Sequence, residues 1–251
     1  MENFKLYGLI GKKLGHSYSA DFFNKKFREE NIDAEYRLFP LPDITEFHEL
    51  LKTHNNLCGL NVTVPYKESI IPMLSKLTPE VKDIGAVNVI RFVTGYPEDK
   101  IKLIGYNTDV IGFKDSLLPL LSPDVTKALV LGTGGASKAV CYVLRNLGIG
   151  FKLVSRTPKK GDLTYSDITP EIIMENLLIV NTTPVGMYPE TEDFPPLPYE
   201  YITPNHICYD LIYNPENTRF LQLAHARGAK VKNGLEMLKL QAIASWEIWN
   251  I

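Results

Sequence analysis

The sequence has few cysteines, almost no excess of charge and no long apolar run. Its three cysteines, Cys58, Cys141 and Cys208, lie far apart in apolar segments. This pattern predicts buried free thiols rather than a disulfide framework or a metal-binding cysteine cluster. No apolar stretch has the length of a membrane-spanning helix, and the N-terminus leads directly into the strand-like segment Phe4–Gly11. We therefore expect a soluble cytoplasmic protein that holds no metal.

The charge balance also excludes several classes of partner. The chain has 27 basic and 29 acidic residues and a net charge of -2. These values give no electrostatic reason to expect nucleic acid or an anionic membrane surface as a partner. In contrast, 251 residues with 45% hydrophobic content are ample for one large or two modest cores.

Strand-like and helix-like segments alternate along most of the chain, which predicts an α/β protein with parallel sheets covered by helices. Strands are predicted at Phe4–Gly11, Ala34–Leu41, Leu57–Thr63, Lys127–Gly132, Phe151–Ser155, Leu178–Asn181 and Ile207–Ile212. Helices are predicted at Ala20–Asn31, Asp43–Thr53, Tyr66–Leu77 and Val110–Leu121, and after Gly234. Val87–Val93 and Lys100–Tyr106 are predicted to be two strands joined by the turn Gly95–Asp99.

Polar side chains interrupt the apolar segments where strands are expected to end. Asn61 and Thr63 are two residues apart, so their side chains face the same way on a strand, and Lys67 follows where a helix should begin. A buried core would not tolerate these groups, so the pattern predicts a small-molecule site. Similar interruptions occur at His16–Ser19, Gly85–Asn88 and Asn107–Asp109.

A glycine-rich turn follows the predicted strand Lys127–Gly132 and precedes an amphipathic helix. Gly132 and Gly134 match a dinucleotide-binding fingerprint, with Ser137 where a third small residue usually stands. Glycine lets the backbone approach a pyrophosphate, and the helix N-terminus offers unpaired N–H donors. The alternative is a tight strand-to-helix turn that needs glycine for its geometry alone.

The residues about twenty positions after the glycine turn favour binding of NADP over NAD. No acidic residue stands there to bind the ribose hydroxyls, and Arg156 follows the strand instead, flanked by Ser155 and Thr157. A guanidinium binds a phosphate with paired donors, which suits the extra phosphate of NADP. Lys159 and Lys160 are either further phosphate ligands or a solvated turn.

These motifs, together with the terminal segment Gly234–Gln241, resemble the shikimate dehydrogenase family in the family's own order along nearly the whole chain. The resemblance implies an N-terminal α/β substrate domain at residues 1–110, completed by the C-terminal helix 235–251. It implies a Rossmann-like, doubly wound NADP-binding domain at residues 111–234. The implied activity is the NADPH-dependent, reversible reduction of 3-dehydroshikimate to shikimate in chorismate and aromatic amino acid biosynthesis. The substrate and the nicotinamide are expected to meet in a cleft between the domains.

The resemblance also implies roles for individual residues. Lys67 and Asp109 are the implied catalytic pair, with Lys67 as the proton donor or as an electrostatic stabiliser of the alkoxide. The implied substrate-binding residues are Ser17, Ser19, Asn61, Thr63, Lys67, Asn88, Asp109, Tyr213 and Gln241. The implied cofactor-binding residues are Gly132, Gly134, Gly135, Ala136, Ser137, Ser155, Arg156, Thr157, Thr182, Leu211 and Gly234. Without the family, Lys67 would be read as a surface charge and Asp109 as a helix N-cap.

The chain departs from the family pattern in three places. Ala20 stands where a proline commonly follows the paired serines, which should alter loop rigidity. The chain is brief between Arg156 and Leu178, so the helix that normally follows is expected to be shortened or missing, with the adenosine side more exposed. The sequence also stops soon after Trp249, which suggests a curtailed closing helix.

Two other functions remain open from the sequence. One is a quinate/shikimate dehydrogenase that uses either nicotinamide cofactor, and the other is a non-catalytic sensor of shikimate-like molecules or NADP. A monomer or a homodimer is expected. His16 is expected to be structural within its loop, and the remaining histidines, His48, His54, His206 and His225, are expected at the surface.

Overall fold

The structure, a computed structural model, describes residues 4–15, 17–93 and 101–251. The chain divides into two compact units, which are Met1–Thr108 with Ala242–Ile251, and Asp109–Gln241. The sequence-based division placed the bounds at 110/111 and 234/235, whereas the units change at 108/109 and at 241/242, inside the last helix. The predicted turn Gly95–Asp99 and His16 lie outside the described residues.

The first unit is built on a mixed six-stranded sheet in the order β2-β1-β3-β5-β6-β4. Its strands are β1 (Lys5–Gly11), β2 (Ala34–Pro40), β3 (Leu57–Val62), β4 (Lys76–Leu77), β5 (Val89–Val93) and β6 (Lys102–Tyr106). Its helices are α1 (Tyr18–Glu29), α2 (Phe47–Thr53), α3 (Tyr66–Ser69) and α4 (Pro79–Ile84). β1 pairs in parallel with β2 and β3, while β5 is antiparallel to β3 and β6, as predicted for the paired strands.

The predicted helix Tyr66–Leu77 is wrong beyond its first turn. The α-helix ends at Ser69, a short 3₁₀ turn covers Ile71–Met73, and β4 follows. Pro72 explains the break, because proline has no N–H donor and disfavours helical backbone at the residue before it. The sequence analysis also missed α4, although its signals are present. Thr78 caps the Val81 N–H, and Gly85 ends the helix with φ of 70°.

The end of the last helix, α9 (Leu235–Trp249), completes the aromatic core of the first unit. The Trp249 ring lies 4.9 Å from Tyr7 and 5.2 Å from Phe23, and its indole N–H donates to the Ile90 carbonyl at 3.1 Å. Gly59 makes room for this ring, because a Cβ at that position would lie 2.4 Å from the indole. Burial of one large aromatic side chain stabilises a fold by about 2–3 kcal/mol, so the chain's last helical turn contributes strongly to this core.

The second unit is built on a six-stranded sheet in which every pairing is parallel. Its strands are β7 (Lys127–Leu131), β8 (Gly150–Ser155), β9 (Leu163–Thr164), β10 (Leu178–Asn181), β11 (Ile207–Asp210) and β12 (Lys230–Lys232). Its helices are α5 (Asp109–Leu117), α6 (Gly135–Asn146), α7 (Pro170–Glu175), α8 (Arg219–His225) and the first part of α9. The order β9-β8-β7-β10-β11-β12 reverses direction between β7 and β10, which is the doubly wound arrangement. The predicted fold class is confirmed, and α7 is short, as the sequence analysis expected.

One predicted surface histidine is buried. His206 has only 1% of its surface exposed, its Nδ1 accepts the Thr203 N–H at 3.0 Å, and its Nε2 lies 3.0 Å from the Ile173 carbonyl. Both ring nitrogens therefore serve local structure. The predicted buried thiols are confirmed for Cys141 and Cys208, whereas Cys58 is only half-buried, and none of the three forms a disulfide. Among the described helices, none is long and apolar enough to cross a bilayer.

Candidate functional site

Asn61 lies on β3, and its amide has three hydrogen-bond partners in the protein. The Tyr36 hydroxyl donates to Asn61 Oδ1 at 2.8 Å. Asn61 Nδ2 lies 3.3 Å from the Asn88 carbonyl and 3.1 Å from Ser245 Oγ. The expectation that a buried core would not tolerate this residue is therefore wrong, because Asn61 is 5% exposed and its polar atoms are satisfied by neighbours.

Asn88 belongs to the same buried network at the start of β5. Its Oδ1 accepts the Thr108 N–H at 2.7 Å, and its Nδ2 donates to Thr108 Oγ1 at 3.0 Å. Thr108 Oγ1 lies 3.2 Å from Ser245 Oγ, which closes the network back to Asn61. The structure thus brings two predicted substrate-binding amides together, and it adds Tyr36, Thr108 and Ser245, to which the sequence analysis gave no role.

The other predicted substrate residues of the first unit lie at element ends. Ser17 precedes α1, and Ser19 is buried in its first turn. Thr63 directly follows β3 and is half-buried, with its N–H donating to the Ile10 carbonyl at 2.9 Å. Lys67 is the second residue of α3 and is half-buried.

Asp109 and Gln241, in the second unit, lie on two helices that pack closely. Asp109 is the first residue of α5, rather than the residue before it, and is 6% exposed. Gly112 allows the contact between the helices, since a Cβ there would lie 2.5 Å from the Met237 carbonyl and 3.2 Å from Gln241 Cβ. Gln241 is buried, and its Nε2 donates to the Leu238 carbonyl at 3.0 Å.

The glycine turn joins β7 to α6. The surrounding protein leaves no room for a side chain at Gly132, whereas it does leave room at Gly134. Gly132 has φ of 110°, and a Cβ there would lie 2.7 Å from Thr182 Oγ1, so the fold itself demands glycine. Gly134 has φ of -87°, and a Cβ there would meet no protein atom within 4 Å. Nothing described in the protein requires glycine at Gly134, which fits a position that a ligand's phosphate approaches. Ser137 is buried and donates to the Gly134 carbonyl at 2.6 Å, which fixes the turn. Gly135 and Ala136 form the first turn of α6.

Arg156 directly follows β8 and is exposed, as is Thr157. Ser155 Oγ accepts the Thr157 N–H at 3.1 Å, so its hydroxyl holds the turn that presents the guanidinium. The positive charge of Arg156 opposes the rise that burial causes in the pKa of Tyr165, so the two side chains interact. The guanidinium is therefore exposed directly after the end of β8.

The ends of β10 and β11 are joined by a buried carboxylate that the sequence analysis missed. Asp210 is fully buried and accepts from Thr218 Oγ1 at 2.6 Å, from Asn181 Nδ2 at 3.0 Å and from the Ile212 N–H at 3.1 Å. Burial raises its pKa to about 6, although the three hydrogen bonds oppose the rise. A charged residue at the end of an apolar strand was the available signal, because a buried carboxylate needs such partners.

This junction also positions three predicted cofactor residues. Thr182 Oγ1 donates to the Leu131 carbonyl at 2.6 Å, beside the glycine turn. Leu211 donates its N–H to the Asn181 carbonyl at 3.0 Å, and its own carbonyl would lie 2.0 Å from a Cβ on Gly234. Gly234 is therefore required by the close approach of two backbones. Tyr213, after β11, is 36% exposed.

The parallel sheet order and the glycine turn define Asp109–Gln241 as a dinucleotide-binding unit of the Rossmann class. In the first unit, a profile of the shikimate dehydrogenase substrate binding domain matches residues 9–90. The shikimate dehydrogenase (NADP(+)) of Caldicellulosiruptor saccharolyticus is 38% identical and aligns over 98% of this chain and 91% of its own length. The chain belongs to the shikimate dehydrogenase family, as the motifs predicted.

Solved structures agree over the whole length. Shikimate dehydrogenase from Aquifex aeolicus has 38% sequence identity and a TM-score of 0.84, and the match covers 100% of this chain and 94% of that one. Shikimate 5-dehydrogenase from Thermus thermophilus, solved in complex with NADP(H) and shikimate, has 31% identity and a TM-score of 0.83. That match covers 98% of this chain and 93% of the Thermus chain.

Proposed function

We propose that this protein is an NADP-dependent shikimate dehydrogenase that reversibly reduces 3-dehydroshikimate to shikimate in chorismate and aromatic amino acid biosynthesis. The observation that carries the proposal is the match at 38% identity to a shikimate dehydrogenase (NADP(+)) over 98% of this chain. A cytoplasmic location is part of this proposal. Whether the protein is a monomer or a homodimer stays a prediction.

The cofactor is proposed to bind at the C-terminal ends of the parallel strands. The backbone at Gly134, Gly135 and Ala136, at the start of α6, would hold the pyrophosphate, because helix N-termini present unpaired N–H donors. Arg156 would hold the additional phosphate of NADP through paired N–H donors. The remaining proposed contacts are Gly132, Ser137, Ser155, Thr157, Thr182, Leu211 and Gly234.

The substrate is proposed to be held by hydroxyl and amide side chains. Ser17 and Ser19 suit its carboxylate because a hydroxyl can donate to it. Asn61, Thr63, Asn88 and Gln241 are proposed to bind the ring hydroxyls, and Tyr213 is proposed to complete the wall of the site. Such a site selects polyols, since a ligand that lacks a hydroxyl leaves a buried partner unpaired.

Lys67 and Asp109 are the proposed catalytic residues. NADPH, when bound, supplies a hydride to the ketone carbon of 3-dehydroshikimate. Lys67 donates a proton to the ketone oxygen and takes it back in the oxidation of shikimate. Asp109 accepts a hydrogen bond from the substrate hydroxyl that forms at this oxygen and orients that hydroxyl. Proton transfer of this kind accelerates reactions by about 10²–10⁴-fold.

The test is a spectrophotometric assay that follows nicotinamide absorbance with shikimate and NADP⁺, then with NAD⁺, and then with quinate as the alcohol. We expect turnover of shikimate with NADP⁺ and much weaker activity in the other arms. Equal turnover of quinate and shikimate would favour the broader dehydrogenase, and binding of shikimate without any turnover would favour the sensor.

A variant of Lys67 tests the catalytic assignment. Lys67→Ala should lower kcat by about 10²-fold or more with little change in KM, because the lost interaction acts in the transition state. Lys82→Ala, which removes an exposed lysine on α4, is the matched control and should retain normal kinetics. A Lys67→Ala enzyme with near-normal kcat would remove Lys67 from the mechanism.

A further inference from the structure

Tyr36 contacts Asn61, one of the proposed substrate-binding side chains, and the proposed reaction gives it no role. It is on β2, is 2% exposed, and its ring stacks on Phe23 at 4.9 Å with 16° between the ring planes. Its hydroxyl contacts Asn61 Oδ1 at 2.8 Å. One buried hydroxyl on β2 therefore contacts a proposed ligand on β3.

The directions of these hydrogen bonds are fixed by a backbone group. The Asn88 carbonyl can only accept, so the Asn61 atom 3.3 Å away must be the Nδ2 donor. Asn61 Oδ1 then faces Tyr36, and the Tyr36 O–H must donate to it. Donation thus runs from Tyr36 to Asn61, and from Asn61 to Asn88.

This direction limits what Asn61 can offer a ligand. The second N–H of Asn61 goes to Ser245 Oγ at 3.1 Å, so both amide hydrogens are used and only a lone pair on Oδ1 is left. Asn61 therefore presents an acceptor.

The backbone of Tyr36 is held by the helix that carries Ser19. Asn24 on α1 accepts the Tyr36 N–H at 2.9 Å and donates to the Tyr36 carbonyl at 2.9 Å. These two bonds attach β2 to α1 at the residue whose hydroxyl contacts Asn61. The hydroxyl is thus placed by main-chain bonds as well as by ring stacking.

We propose that Tyr36 is a positioning residue that sets substrate specificity, since its hydroxyl holds Asn61 with Oδ1 as a hydrogen-bond acceptor. The ligand selected is one with a hydroxyl that donates to Asn61. This inference rests on the proposed function, because it takes Asn61 to be a substrate ligand.

The test is Tyr36→Phe, which keeps the stacked ring and removes only the hydroxyl. We expect KM for shikimate to rise about tenfold, the equivalent of about 1.4 kcal/mol, as the net value of one hydrogen bond allows. KM for NADP⁺ and kcat should change by less than about threefold. Tyr7→Phe is the matched control because Tyr7 is another buried tyrosine of the same aromatic cluster, and it should leave the shikimate KM unchanged.

A double-mutant cycle separates positioning from general packing. In an Asn61→Ala background, Tyr36→Phe should raise KM for shikimate by less than about threefold, because its main partner is gone. An undiminished tenfold effect in that background, or an unchanged KM in the single variant, overturns the proposal. If Tyr36→Phe does not fold, Ser245→Ala must raise the shikimate KM instead, through the lost partner of Asn61 Nδ2.

Failure of the proposed function would look different. If the wild-type protein binds shikimate in calorimetry without turning it over, the proposed function fails, and Tyr36→Phe must still weaken that binding about tenfold. If the wild-type protein neither binds nor oxidises shikimate, both proposals fail. If the wild-type protein turns over shikimate, and the Tyr36→Phe variant has the same kcat and the same KM values, only the inference about Tyr36 fails.

Discussion

Asp210 is expected to make the stability of this protein depend on pH in a way that one substitution reveals. Its carboxyl is fully buried at the end of β11, and burial raises its pKa from 3.8 to about 6. In the unfolded chain the carboxyl ionises near its ordinary value. Between those two pKa values the folded state binds more protons than the unfolded state, so the free energy of unfolding falls as pH rises.

The size of the effect follows from the shift. About two pKa units at 1.36 kcal/mol each amount to about 3 kcal/mol. The contribution of protonated Asp210 to the free energy of unfolding is fully present below pH 3.8 and is lost as pH rises to about 6. Integrated between pH 4.5 and pH 7.5, about 2 kcal/mol of this total is expected to appear.

The perturbation is Asp210→Asn, which keeps the shape and cannot ionise. The amide can accept from the Ile212 N–H and from Asn181, and its NH₂ can donate to Thr218, whose hydroxyl can turn to accept. We expect the difference in unfolding free energy between variant and wild type to grow by about 2 kcal/mol in favour of the variant from pH 4.5 to pH 7.5.

The assay is urea denaturation of both proteins across that pH range, followed by circular dichroism. Comparison with the variant cancels the contributions of the other titratable groups. Asp124→Asn, at an exposed position, is the control and should change stability by less than about 0.5 kcal/mol throughout. A difference between Asp210→Asn and wild type that stays constant with pH would refute the reasoning.

Two further outcomes are expected. Gly234→Ala should destabilise the protein by about 3 kcal/mol, because its Cβ would lie 2.0 Å from the Leu211 carbonyl and the backbone must shift. Calorimetric melting would show this, with Gly134→Ala, whose Cβ meets no protein atom within 4 Å, as the control; equal melting temperatures would contradict it. Arg156→Leu should lower the preference of kcat/KM for NADP⁺ over NAD⁺ by about tenfold or more, whereas Lys160→Leu should not; an unchanged ratio would remove Arg156 from cofactor recognition.

Much of the fold was predictable because periodicity and turn residues are local signals. The apolar strands β7 and β10 and the glycine turn between β7 and α6 were predicted close to their observed bounds. The helix predicted at Tyr66–Leu77 was wrong because apolar periodicity was given more weight than Pro72, which is also a local signal. Pro72 could therefore have corrected this prediction from the sequence alone, and the capping residues Thr78 and Gly85 could have predicted α4.

The polar networks were not predictable in the same way. Asn61 looked like a group aimed at a ligand, but its partners Tyr36, Asn88 and Ser245 lie 25, 27 and 184 residues away in the chain. Asp210 depends in a similar way on Asn181 and Thr218. Hydrogen-bond direction and desolvation depend on which groups share a buried space, and sequence spacing does not report that.

The sequence by itself determined the order of strands and helices, the glycine turn, the arginine after β8 and the family to which they belong. These features depend on residues that are neighbours in the chain, where backbone geometry alone relates one side chain to the next. Only the tertiary structure decided that Asn61 is an acceptor, that Asp210 has a raised pKa and that Trp249 fills the core of the first unit. Each of these properties arises from burial and from contacts between residues distant in sequence, which exist only once the chain has folded.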